Sequence, residues 1–518
     1  MLTAIILIPL LAALGILSIP RNFRFVIRVV ALAATLLTML LAVKLFLGFN
    51  AAPAGAGGYK FVHYVPWVES LGINYYVGVD GLNVGLILMG GLVAFAAACC
   101  SWEIKNREKE YYLLLMVMTG GILGAFASLD LFFFYAFHEL ALVPTFIMIG
   151  VWGRGEKKNY ATFNITMYLS LGALIALFGL LAMYLQVPLG KRTFDIVELT
   201  QYFQANPMSR GAQHFIFPLL LFGFGILVSL WPFHTWAPLG YGAAPTATAM
   251  LHAGVLKKFG LYGLIRIALP LMPAGAQNWM KVLALLCLGN ILYCGWVAMR
   301  QRDLNQLIGN SSVAHMGFAF LGIASLTLIG VTGTVLVMIA HGLLAALTFG
   351  LSGYLRAHAS TLNMDELGGL LRKVPFIGVA LMMAAFAGCG LPGFANFAGE
   401  LSVLFGAWKS GLDSAWRLVA AAAWGALLIG AVYMLRAVRS VLHGELAPKF
   451  ADLPDAGPWR KVPFVLLLGA LLLFGVFPGL LADKIKPSAE RIVKLATTPT
   501  APEKPSAPKL KTASVTQP

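Results

Sequence analysis

The sequence predicts an all-α polytopic membrane protein of about fourteen transmembrane helices, arranged as two inverted five-helix repeats with discontinuous helices seven and twelve. Three observations predict it. Of 518 residues, 59% are hydrophobic and 11% charged, with mean hydropathy +0.82, which excludes a soluble globular class. Apolar runs long enough to cross a bilayer recur along nearly the whole chain. Two runs, in corresponding positions of the two halves, are interrupted by Pro and Gly, and unwound backbone is tolerated at membrane depth only where it lines protein or a cavity.

In chain order the expected spans are 2–19, 25–48, 79–101, 111–128, 130–151, 163–187, 213–232, 245–270, 279–299, 306–328, 331–355, 375–409, 415–440 and 462–481. The first, from Leu2 to Leu17, lacks a basic leader and an AxA cleavage site, so it is expected to be retained. Asp80 in GVDGLN and Asp130 in SLDLFF each open a span, where a carboxylate caps free backbone N–H groups. The seventh span stops at Trp231 and Pro232, and the eighth opens near Pro245. The twelfth is broken by Gly388, Gly390, Leu391, Pro392 and Gly393, then resumes through Asn396, Phe397 and Glu400. The organisation that follows is 1–110 for the first three helices, 111–272 and 273–441 for the two repeats, 442–481 for the last helix, and a disordered tail over 482–518, rich in Pro, Ala, Thr and Lys.

The formal charge of +16 resides largely in short loops between apolar spans, as the excess of Lys and Arg on cytoplasmic loops requires, so it encodes topology and an anionic lipid neighbour, with no nucleic acid implied. Arg107, Lys158, Arg302, Arg356 and Arg436 fall on one side; both termini then lie opposite the cytoplasm. The cysteines Cys99, Cys100, Cys287, Cys294 and Cys389 all sit in apolar spans without a CxxC or Cys/His cluster, so no metal, haem or other cofactor is expected in this chain.

Against this apolar background the intramembrane charges stand out. Lys257 and Lys258 lie about a dozen residues into the eighth span, near the bilayer centre, where insertion costs roughly 2.5 to 3.5 kcal/mol. On a continuous helix they differ by about 100°, so they cannot face the same neighbour, and one of the two is free for a packing role. Glu139 lies deep in the fifth span and needs a cation nearby to carry charge; the plainer alternative is a neutral carboxyl bonded to an adjacent helix. His315 and His341 would each, alone, more often be core residues. With Glu139, Lys258 and Glu400 they form a series of titratable groups on successive helices, as proton transfer through a dry interior requires.

These residues stand in YYVGVDGLN, SLDLFFFYAFHELALVPTFIMIGVWG, WPFHTW, APTATAMLHAGVLKKFGLYGLIR, RDLNQLIGNSSVAHMGF, MIAHGLL and LPGFANFAGELSVLFG, and over nearly the whole chain short of the tail they resemble the antiporter-like subunit M (chain 4) family of proton-pumping NADH:quinone oxidoreductase, respiratory complex I. The resemblance implies that the fifth-helix glutamate is Glu139, the eighth-helix lysine Lys258, the tenth- and eleventh-helix histidines His315 and His341, and the twelfth-helix charged residue Glu400. It also exposes departures. Leu227 stands where the family carries a seventh-helix lysine, LGYG replaces an acidic and histidine pair, and His138 replaces a tryptophan. Lys257 or Lys258 is therefore expected to approach Glu139 and replace the missing cation.

The function implied is a proton-translocating subunit of a redox-driven complex in a bacterial inner membrane, assembled with other membrane-arm subunits and lipid, its substrate the proton. The competing classes are a cation/proton antiporter, hydrogenase or carbon-uptake module on the same scaffold, and a spacer subunit whose proton path has been lost with the seventh-helix lysine.

Overall fold

In a computed structural model, which describes residues 1–410 and 414–498, the chain is a membrane bundle of helices with one hairpin. It opens with α1 (Leu2–Ser18) and α2 (Arg24–Gly48), then the antiparallel strands β1 (Lys60–Val68) and β2 (Ile73–Val79). The first half continues through α3 (Val84–Cys100), α4 (Glu108–Ala127), α5 (Leu131–Trp152), α6 (Lys158–Leu185), the short α7 (Ile196–Ala205), α8 (Arg210–Val228), α9 (Trp236–Ala243), α10 (Thr246–Gly254), α11 (Phe259–Gly263) and α12 (Leu269–Leu271). The second half comprises α13 (Pro273–Leu288), α14 (Gly295–Arg300), α15 (Leu304–Ala324), α16 (Leu328–Ala359), α17 (Pro375–Gly388), α18 (Ala395–Lys409) and α19 (Ser414–Leu442). Then follow α20 (Pro458–Val476) and α21 (Gly479–Thr497).

Among the described residues, 11 helices are long and apolar enough to cross a membrane. The expected spans outside that set are α1, with 17 residues, and the broken eighth and twelfth. The centre of the bundle is α15 with α16: the apolar stretches of both are fully buried, so their sequences are hydrophobic all round. Around α16 pack α3, α10, α15, α17, α18, α20 and α21, which puts His341 in the middle of the molecule.

Both expected breaks are present, and each has local causes. Between α8 and α9 the chain turns through Ser229 at φ 72°, and the freed backbone is taken up by Asn290: its Oδ1 accepts from the Trp231 N–H at 2.7 Å, and its Nδ2 donates to the Ser229 carbonyl at 2.8 Å. Asn290 can reach because its own helix widens into a π turn over Gly289–Cys294. Between α17 and α18, Gly390 and Gly393 adopt φ of 67° and 99°, a region that only glycine enters cheaply.

Two expectations need correction. The span expected over 245–270 is not one helix: after α10 the chain passes through a 3-10 turn, Leu256–Lys258, and later a π turn, Leu264–Ala268. Asp130 does cap α5, accepting from the Phe132 and Phe133 N–H groups. Asp80 likewise accepts from the Leu82 and Asn83 N–H groups ahead of α3, at 3.0 and 3.4 Å, and it also engages Arg266 through both carboxylate oxygens, at 2.8 and 2.5 Å. Residues 482–497 are helical within α21, whose Leu481, Ile485, Ala489, Ile492 and Ala496 form one buried stripe; the remainder of the expected disordered tail, 499–518, lies outside the described residues.

Candidate functional site

The broken end of α10 builds the centre of the site. A helix that stops inside a membrane leaves carbonyls without partners, and the C-terminal end of its dipole favours a cation. The group placed there is Lys258, fully buried, whose Nζ donates to the Ala253 carbonyl at 2.5 Å. The same amine lies 2.8 Å from His341 Nδ1 on α16. Lys257 goes the other way, donating to Ser312 Oγ on α15 at 3.3 Å with its amine 5.6 Å from the centre of the Tyr241 ring. The two lysines thus face different helices, as expected, although the 3-10 turn and not a continuous helix separates them.

From His341 the site continues to His315, ring centroids 5.5 Å apart. His315 is oriented by its own helix: Nδ1 lies 2.7 Å from the Ser311 carbonyl, one turn back. A carbonyl only accepts, so this assigns the Nδ1 proton and leaves Nε2 facing Glu400 Oε1 at 3.5 Å. Glu400, 3% exposed, is placed there by the break before α18, and a Cβ on Gly390 would stand 2.7 Å from its Oε2. A cavity of about 20 Å³, enough for one water, opens beside the pair between Gly388, Cys389 and Tyr433. Tyr433 in turn meets Ser311 Oγ at 3.0 Å.

Lys258, His341, His315 and Glu400 are therefore brought into one buried row, with Lys257 on a branch. Glu139 is not in it. Its side chain is 33% exposed on the outer face of α5, beside the exposed Leu140 and Val143, so the burial expected from its apolar flanks does not hold. Neither lysine serves it: both amines are held by the partners above, and the titratable neighbour of Glu139 is His138, with Nδ1 3.4 Å from Oε1. A run of apolar flanks gives depth but not side, which is why the sequence misplaced this group. Two further residues escaped notice, Tyr241 and His252, which meet at 3.2 Å beside Lys257; an intramembrane histidine six residues before Lys258 was the available signal.

Each pair in the row can exist in two protonation states. The Lys258 amine and His341 Nδ1 hold a proton as ammonium and neutral ring, or as neutral amine and imidazolium. His315 Nε2 and Glu400 hold one as neutral ring and carboxylic acid, or as imidazolium and carboxylate.

Comparisons with known proteins agree with this architecture. Residues 128–425 match the family described as NADH:quinone oxidoreductase/Mrp antiporter, TM. NADH-quinone oxidoreductase subunit M of Rhodobacter capsulatus is 33% identical over 475 residues, covering 90% of this chain and 90% of that one. F(420)H(2) dehydrogenase subunit M of Methanosarcina mazei is 33% identical over 470 residues, covering 89% and 92%. Among solved structures, a chain of respiratory complex I from Thermus thermophilus with bound NADH is 29% identical with TM-score 0.86, covering 96% of this chain and 100% of that one. Taken with the two broken helices and the buried row between them, these likenesses establish that the chain belongs to the NADH:quinone oxidoreductase/Mrp antiporter family of membrane proteins.

Proposed function

We propose that this chain is a membrane-arm, proton-translocating subunit of a redox-driven NADH:quinone oxidoreductase of a bacterial inner membrane, with no redox centre of its own. The observation that carries the reading is the row Lys258–His341–His315–Glu400, buried throughout and joined at 2.8 Å, 5.5 Å between rings and 3.5 Å. Charged groups at this depth are costly and ordinarily mark an ion pathway. A charge change in a neighbouring subunit biases which member of each pair holds the proton; ring rotation or a bridging water carries it between the histidines. Electrons pass through other subunits, which complete the machine, and the remaining outer surface meets lipid.

The test is Glu400→Gln in the assembled complex. Glutamine keeps the size and the polar contact to His315 but cannot cycle a proton. Fewer protons moved per electron, with assembly and electron transfer retained, is the expected outcome. An unchanged ratio removes Glu400 from the path.

A further inference from the structure

Outside the row, the pair His138–Glu139 on α5 joins the exterior of the bundle to its interior. On α5 the carboxylate of Glu139 faces outward and is 33% exposed, whereas the adjacent His138 points inward with its side chain 2% exposed. The Nδ1 of His138 and Oε1 of Glu139 lie 3.4 Å apart, and neither atom makes a hydrogen bond among the described residues. A buried polar atom left in that condition in a native fold calls for an explanation, and a role in proton transfer is one. The imidazole is held by a stack: its ring lies on Phe259 at 3.9 Å and 20°, and Phe259 also stacks on Phe134, one turn along α5, at 4.3 Å. Phe259 follows Lys258 directly in the chain, and α5 packs against both α10 and the 3-10 turn that carries the lysines.

We propose that His138 is a proton-relay residue that connects Glu139, at the outer face of α5, with the lysine turn in the interior. The step is a proton transfer. The protonated carboxyl of Glu139 gives its proton to His138 Nδ1, leaving carboxylate and an imidazolium that keeps its Nε2 proton; the ring then turns about Cβ–Cγ and Nδ1 gives the proton to a neutral amine of the lysine turn, which becomes ammonium. Turned back, the ring is again neutral, with its proton on Nε2 and Nδ1 free to accept. An aromatic face within about 6 Å attracts a cation, so Phe259 stabilises the imidazolium through which the proton passes. The inference deepens the proposed translocation function and rests on it.

The experiment measures protons moved per electron by the reconstituted whole complex, comparing wild type, His138→Phe, Glu139→Gln, the double variant and Glu400→Gln. Phenylalanine keeps the stack and removes the exchangeable protons. The expected result is a loss in His138→Phe equal to that in Glu139→Gln, with no further loss in the double variant and electron transfer unchanged. A wild-type ratio in His138→Phe beside a lowered one in Glu400→Gln overturns the relay and leaves the translocation function standing. A wild-type ratio in both overturns the function itself. Should His138→Phe fail to assemble, His138→Gln, which retains a polar contact to Glu139 but no titratable ring, is read by the same criteria.

Discussion

At the scale of single residues, the site depends on positions that carry no charge. Gly390 is the clearest: its φ of 67° is left-handed, and a Cβ there would stand 2.7 Å from Glu400 Oε2. Gly390→Ala should cost about 1–2 kcal/mol for the backbone alone and push the Glu400 carboxylate off His315. A lower melting temperature of the purified complex, together with a reduced proton-to-electron ratio, is the expected pair of results; a stable complex with an unchanged ratio would show that the carboxylate tolerates displacement. Lys258, His315, His341 and Glu400 were legible in the sequence because a charge or a lone imidazole inside an apolar run is conspicuous. The orientation of Glu139 was not, since α5 is apolar on every side and its pattern does not say which face looks inward. The pairing of Glu139 with His138 was hidden for a related reason: adjacent residues on a helix point in directions about 100° apart, yet side-chain length brings Nδ1 and Oε1 to 3.4 Å.

At the scale of elements, breaks announced by Pro and Gly were readable and those made by packing were not. Trp231–Pro232 and Gly388–Gly393 carry their signal in the chain, whereas Leu256–Lys258 consists of residues that ordinarily favour a helix, and its 3-10 turn is held by tertiary contacts of the two lysines. The helix α21 was missed because its Pro and Lys content suggested a tail, although the buried stripe from Leu481 to Ala496 has helical spacing. Its anchoring gives a prediction. Asp80 is bound by the buried Arg266, whose guanidinium also donates to the hydroxyls of Tyr59 and Tyr262, and is approached at 3.5 Å by Arg491 of α21. Removing one partner of a buried pair costs about 3–5 kcal/mol because the other charge is stranded; an exposed pair contributes roughly 0–1 kcal/mol. The side chain of Arg266 is 1% exposed and that of Arg491 is 41% exposed. Asp80→Asn should therefore sharply reduce the yield of assembled complex, while Arg491→Gln should leave it near wild type. Equal yields in thermal and detergent challenge would contradict the ranking.

For the whole molecule, geometry places both described ends on one side of the bundle, and loop charge predicts which side that is. One end of the bundle gathers Arg28 with Glu108, Arg154 with Glu103, Arg302 with Asp365, and the contacts of Lys109 with the Leu17 carbonyl and Arg356 with the Gly242 carbonyl. The opposite end holds the β1–β2 hairpin, Asp80 with Arg266, and Asp195 capping α7. Thr3 meets His63 of the hairpin at 3.2 Å, and Lys484 of α21 reaches Asn50 at 3.0 Å, so both described ends of the chain lie at the hairpin end. An even number of crossings is the only way to achieve that. The loops at the first end are the ones dense in Lys and Arg, and such loops stay in the cytoplasm during insertion because moving their charges across the bilayer is costly. Reporter fusions at Arg107 and Lys158 should accordingly read cytoplasmic, and a fusion at Glu198 in α7 should read from the other side. If Arg107 and Lys158 both reported outside, the loop charges would have been overruled, and the outward carboxylate of Glu139 would be reached by a chain inserted in the reverse sense.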